Sequence, residues 1–471
     1  HLYYAEVLRG VLTHSGPYAQ HFAIKTLFTP YVLEYFGLIV LETAFSAPMS
    51  EKLLLCGYVF AFGFGFRYLV GSVDRARSPW TLAAMPFCLH ILLYFGFLNY
   101  CFGITALLFL SGYWIRHAGR LAARQIATVA AGFLLMLLIH PVPPVIFLAF
   151  AALYLAAMVI RRAVPAKRSI ITWLALAGLG IAYIAPFRDS APHGPVLPSY
   201  LQSMGWTDAL VAQLELRPAL PFTPLMYRAG PILLMAAVAL AVVWSLSHKL
   251  AEIAPAVWAM LAISAACSLV FIVAPLEVNG GWNFPERFPI VAILFLIAAA
   301  AALHPPRALG IAVSAIAVVV TVGVLYEQWL FASNVADDIA GLEEAAIAKT
   351  GSVGLIVGPL RSAPPELAFD PYTWASAGYF RNSHAVMANA PWMDTVTILL
   401  KPVAPGRFSY RGPVESLREL QEMAIGGETA PGIDFVVENP PFDRATEQIL
   451  SRMGFTDVSQ AGEYYRIFHK H

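Results

Sequence analysis

From Glu51 to Tyr326 long apolar runs alternate with short polar connections. A membrane span needs about 20 predominantly apolar residues, somewhat fewer where a connection dips into the bilayer. Ten runs of that kind follow one another, at 51–70, 80–95, 98–115, 125–140, 143–160, 169–187, 229–247, 254–273, 288–304 and 308–327. The pattern predicts a helical bundle over residues 50–328.

The first 49 residues behave differently. Leu2, Tyr3, Glu6, Arg9 and Gly10 fall at helical spacing, and Ser15, Gly16 and Pro17 then break the pattern, which predicts a short helix followed by a turn. Pro30 to Met49 is apolar, but Glu34 and Glu42 would each cost about 2.5 to 3.5 kcal/mol near the bilayer centre if unpaired. An interfacial or re-entrant helix is the better expectation. Residues 1–49 are thus expected to be a surface loop carrying interfacial helices.

Beyond Asn334 the pattern changes again. Helical runs at 335–349, 414–424 and 443–453 alternate with strand-like runs at 354–358, 395–400, 433–438 and 464–469. Residues 329–471 therefore read as a small α/β domain. The turn after the first of these strands lacks the spacing of a phosphate loop.

Composition agrees with the pattern. With 59% hydrophobic and 13% charged residues, against roughly 25% charged in a soluble domain, the chain reads as a polytopic α-helical membrane protein. The net charge is +1, and the basic residues fall in short loops without forming one patch, which argues against nucleic acid as a partner. Cys56, Cys88, Cys101 and Cys267 sit in apolar runs without metal-like spacing, so neither a disulfide nor zinc is expected.

Orientation follows from the basic residues. One set of connections holds Arg75, Arg77, Arg116, Arg120, Arg124, Arg161, Arg162, Lys167, Arg168, Lys249 and Arg307; the alternate set holds Arg188, Arg217, Arg228 and Arg287. The richer set is predicted to be cytoplasmic. An even number of crossings then places residues 1–49 and the carboxy-terminal domain outside. The chain opens at His1 without a signal peptide or a complete first span, so a further span is expected upstream.

Four outer connections carry candidate chemistry. Residues 94–102 are crowded with rings around Asn99, and His140 begins a proline-rich turn that cannot be continuous helix. The loop from Arg188 to Arg228 is long enough to suggest a lid. The last, residues 274–289, concentrates Glu277, Asn279, Trp282, Asn283, Glu286 and Arg287 at the mouth of two spans.

This layout resembles the GT-C superfamily of polytopic glycosyltransferases, which use polyprenyl-phosphate sugars on the outer face of the membrane. The opening HLYYAEVLRG, the segment 30–49 and the tail after Trp329 match its outer loop with membrane-parallel helices and its terminal periplasmic domain. An upstream span would bring the total to eleven, as in several members. A looser likeness is to a branch of bacterial membrane proteins in which an acid shortly precedes a His-Leu pair like His1 and Leu2. The resemblance implies that the main catalytic acid lies before residue 1, and that the protein resides in a bacterial inner membrane. It implies as partners the bilayer, a polyprenyl-phosphate-linked sugar donor, and a glycan, lipid or protein acceptor.

Such a transfer needs a carboxylate to take a proton from the acceptor, and a cation or a metal to assist the departing phosphate. Glu6 is the sole carboxylate in the first thirty residues. With His1 nearby it is a candidate base, or a candidate ligand for Mg or Mn. The plainer reading is a surface pair between Glu6 and Arg9, worth about 0.2 to 0.5 kcal/mol. Arg287 is the strongest candidate, because a guanidinium grips a phosphate with two donors at once, while Glu286, Asn283 and Trp282 would orient it or stack on a sugar. An arginine beside tryptophan is also an ordinary membrane anchor.

Glu34 and Glu42 lie about 80° apart on a helix and so share a side that faces either a polar cavity or headgroups. Asn99, His140 and Arg188 are further candidate substrate contacts, with structural hydrogen bonding or solvation as the default for each. His90 reads as a core residue. Two rivals remain: a GT-C-like assembly subunit of a membrane complex that has lost the chemistry, and a transporter. The scarcity of charge within the spans counts against the transporter.

Overall fold

A computed structural model describes residues 2–24, 26, 29–161, 167–185, 198–221, 224–249, 253–276, 284–345, 352–357, 386–387, 400–402, 413–428, 430, 432–438, 444–461 and 465–470. Among them, seven helices are long and apolar enough, by length and composition, to cross a membrane. They are α4 (Ala47–Val73), α6 (Leu98–His117), α8 (Val142–Ile160), α9 (Lys167–Ile184), α11 (Leu225–Lys249), α12 (Pro255–Val273) and α14 (Arg307–Ala345). The chain is a helical protein of multi-pass membrane type. It divides into two compact units, His1–Glu51 with Gln328–His471, and Lys52–Glu327.

The unit Lys52–Glu327 holds most of the apolar helices, and α13 (Arg287–Ala302) is its most enclosed. All of its residues except Leu296 are buried. A helix apolar on every side belongs in an interior. Its run of alanines, Ala298 to Ala302, lets α12 approach closely, and Ser264 of α12 donates to the Ala292 carbonyl at 2.8 Å. At 16 residues it extends about 24 Å at 1.5 Å per residue. Also short and apolar is α7 (Ala123–Ile139). Gly103 of α6 is required by packing, because a Cβ there would lie 2.7 Å from Pro143 Cγ of α8.

One expected span is not an α-helix. Residues Arg75–Phe87 form a 3-10 helix, and after a break at His90 the chain makes only the short α5 (Ile91–Tyr94). Pro86 explains much of this, since in an α-helix its ring would clash with the carbonyl four residues back and its nitrogen has no hydrogen to give. Ile91 donates its backbone N–H to Ala219 at 3.1 Å instead of to its own helix. The 3-10 form also rises about 2.0 Å per residue, so fewer residues cover a given depth.

The other unit opens with α1 (Leu2–Thr13), α2 (Tyr18–His21), β1 (Phe22–Ile24) and α3 (Val32–Leu41). His14 and Gly16 turn the chain with φ of 52° and 67°. The expected interfacial segment is therefore the 10-residue α3, and residues 47–49 already belong to α4. A five-stranded sheet has the order β3 (Val386–Met387), β2 (Val353–Val357), β5 (Phe435–Glu438), β7 (Tyr465–Lys470), β6 (Phe455–Ala461). β2 runs parallel to β3 and β5, and β7 runs antiparallel to β5 and β6. Helices α15 (Pro413–Ile425) and α16 (Arg444–Arg452) close its core around Leu355, Leu420, Val436, Leu450 and Phe468.

Two features of this unit depart from the expectation. β1 pairs antiparallel with β4 (Leu400–Pro402), with Phe22 opposite Pro402, so the opening stretch is hydrogen-bonded to the carboxy-terminal part. The helix expected at 335–349 is the continuation of α14. Between Val324 and Ala345 no proline and only Gly341 interrupts good helix formers.

Candidate functional site

A polar cluster gathers where the amino-terminal ends of α6 and α13 meet the carboxy-terminal end of α7. α13 supplies Arg287 at its first position with Glu286 as the residue before it, and both are buried, at 5% and 7% exposure. Tyr100, in the first turn of α6, donates its hydroxyl hydrogen to the Arg287 carbonyl. Phe97 caps α6, and its ring lies under the Arg287 guanidinium, 5.0 Å from carbon to centroid. A guanidinium over an aromatic face is attracted by the ring quadrupole.

His140 ends α7 and packs edge-on against Tyr100, ring centroids 5.0 Å apart. Its Nδ1 accepts the Val142 N–H at 3.2 Å. Burial, reinforced by the Arg287 guanidinium, holds the imidazole well below its usual titration range. A neutral ring whose Nδ1 is an acceptor carries its proton on Nε2, so His140 presents a donor. Asn99 lies beside Tyr100 in the same turn; its Oδ1 is buried and has no hydrogen-bond partner among the described residues.

The fourth side comes from α10 (Tyr200–Leu214). Tyr200 donates its hydroxyl hydrogen to Glu286 Oε1. Burial pushes the Glu286 carboxyl up from its usual range, and the Tyr200 hydrogen bond offsets only part of that. Both burial and the neighbouring carboxyl raise the Tyr200 phenol. Glu286 and Arg287 are adjacent and interact, and the Arg287 charge works against the burial that raises the Glu286 carboxyl. The amino terminus of α13 adds its own partial positive charge at the same point.

Of the residues singled out from the sequence, Asn99, His140, Glu286 and Arg287 lie at this end of the unit. Trp282, Asn283, Arg188 and His1 lie outside the described residues. Glu6, Glu34 and Glu42 belong to the other unit. There Arg9 bridges two carboxylates, Glu6 on its own helix and Glu42 at the end of α3, the latter at 3.3 Å. With a guanidinium already on it, Glu6 is poorly placed to hold a divalent ion. Among the described residues no group of three or more His, Cys, Asp or Glu is positioned to hold a metal. Glu34 is buried in the first turn of α3.

The partnership of Tyr200 with Glu286 escaped the sequence, since the two are 86 residues apart and nothing in their spacing links them. Tyr100 was visible only as one ring in an aromatic cluster. No protein family, curated protein or solved structure matches the chain.

Proposed function

We propose that the chain is a membrane glycosyltransferase of GT-C type, moving a sugar from a polyprenyl-phosphate donor to an acceptor at the outer face of the bacterial inner membrane. In this reading the arginine-rich connections are cytoplasmic and the carboxy-terminal α/β part is extracytoplasmic. The observation that carries it is a buried arginine, Arg287, at the amino terminus of an enclosed apolar helix, with the buried His140 and Asn99 at the same end of the unit. As the bond from sugar to phosphate oxygen breaks, negative charge grows on the phosphate. Fixed donors in a water-poor site stabilise that charge far better than water does.

Transfer from lipid-linked sugars by the purified protein in nanodiscs tests the proposal. Arg287→Ala should lower the rate about 10²- to 10³-fold, the usual cost of removing one charge-stabilising donor. Undiminished transfer would remove Arg287 from the mechanism. A second reading, a GT-C-like assembly subunit without activity, draws support from Arg9, which ties Glu6 into the helix packing. Absence of transfer with every lipid donor would favour it.

A further inference from the structure

We propose that the second half of α10 is a membrane-interface helix, seated in the acyl-chain boundary of the bilayer through Trp206, Leu210 and Leu214. Gly205, at φ 81° and ψ 171°, breaks α10 into two parts. The first part is anchored. Ser199 and Gln202 form a capping box, Ser199 bridges to Pro275, and the Tyr200 ring packs 4.8 Å from that of Phe271.

The second part is inverted relative to a helix on a water-soluble surface. Its inward residues are the small Ala209 and Ala212, both buried. Trp206, Leu210 and Leu214, one turn apart on a single face, are 55%, 50% and 66% exposed. A helix whose larger apolar face points outward calls for an apolar neighbour.

The bilayer fits better than a protein partner for three reasons. Ala209 packs on Phe271 and Ile272 at the end of α12. The outward Leu269 and Val273 of that helix, 51% and 44% exposed, belong to a span-length apolar helix, so the stripe continues a surface that faces lipid if α12 crosses the membrane. From Trp206 to Leu214 the helix extends about 13 Å, too short to cross and long enough to lie along an interface. Tryptophan favours that depth. Residues 199–216 contain no lysine or arginine, so attraction to anionic headgroups plays no part, and seating should be independent of lipid charge.

The same helix holds Tyr200 on Glu286, which would set the Arg287 cluster at the level of the interface, where the phosphate of a lipid-linked donor resides. This last consequence rests on the function proposed above; the seating itself does not.

The test is fluorescence quenching of the full chain reconstituted in vesicles, read as the difference between wild type and Trp206→Phe because the chain has 10 tryptophans. Lipids brominated near the headgroup end of the acyl chain should quench the Trp206 component at least threefold more than aqueous iodide does. The effect should be equal in phosphatidylcholine and in phosphatidylglycerol mixtures. Quenching by iodide and not by lipid would overturn the proposal in favour of a water-facing helix. Protection from both would overturn it in favour of a protein partner or a second copy. As a second measurement, Leu210→Cys in a Cys56→Ser background should react at least tenfold more slowly with a membrane-impermeant maleimide than Asp208→Cys. Equal rates would also sink the proposal.

Discussion

The guanidinium of Arg287 rests over the ring of Phe97, 5.0 Å from its centroid, so an aromatic face helps to set the plane of the arginine. This arrangement keeps its donors directed by geometry. A lysine at the same place would retain the charge and lose the planar two-donor fork. Arg287→Lys should therefore weaken binding of polyprenyl phosphate about tenfold or more, within the range of about 1.5 to 3 kcal/mol for hydrogen bonds to charged groups. Native mass spectrometry of lipid-bound protein measures it, and equal affinity would mean that only the charge matters.

His140 makes a contribution of definite sign to the pH dependence of stability. Its folded-state pKa is depressed by burial and by Arg287, while the unfolded value is near 6.5. The corresponding stability is present above about pH 6.5 and is lost as pH falls from there toward the folded value. Glu286, with its raised pKa, works in the opposite sense, contributing stability at low pH that is lost as pH rises through its folded value. The change in melting temperature in detergent on going from pH 7 to pH 5 should be more negative for the wild type than for His140→Asn. An unchanged slope in the variant would place the titration elsewhere.

Gly103 of α6 packs directly against Pro143 of α8. A methyl group there would meet Pro143 Cγ at 2.7 Å, whereas one at Gly323 would meet nothing within 4 Å. Overpacking typically costs about 1 to 3 kcal/mol, which outweighs the gain of up to about 1 kcal/mol from replacing a helical glycine by alanine. Gly103→Ala should lower the thermal midpoint, and Gly323→Ala should leave it unchanged or raise it.

Arg9 separates the structural from the catalytic account of Glu6. If Glu6 serves only to hold α1 against the end of α3, Arg9→Met and Glu6→Gln should both loosen residues 1–49 toward limited proteolysis, with a loss of about 1 kcal/mol or less for a partly exposed pair. Transfer activity would then survive in both. Should Glu6 act as the base, Glu6→Gln would abolish transfer while leaving the proteolysis pattern nearly intact.

Several elements were legible along the chain for a simple reason: periodicity records burial. The apolar runs at 98–115, 143–160 and 254–273 became α6, α8 and α12 with ends shifted by a few residues. The amphipathic pattern at 443–453 became α16, Arg444–Arg452. Arg287 could be placed at the start of a helix because a charge ends an apolar run.

Other elements depended on neighbours distant in the chain. β6 was missed because its run FTDVSQA is too polar to announce a strand, and it exists by pairing with β7. Residues 80–95 have the composition of a span, yet proline chemistry and the bond from Ile91 to Ala219 hold the break. No spacing rule joins Tyr200 to Glu286, Tyr100 to Arg287 or Phe22 to Pro402.

By itself, then, the sequence located most of the long helices and the strands β2, β5 and β7, and it singled out Asn99, His140, Glu286 and Arg287 as polar residues at the ends of apolar runs. Only the tertiary structure decided which of those residues meet one another. Local pattern reports how deeply a residue is buried, whereas partnership across tens or hundreds of residues is settled by the packing of whole elements.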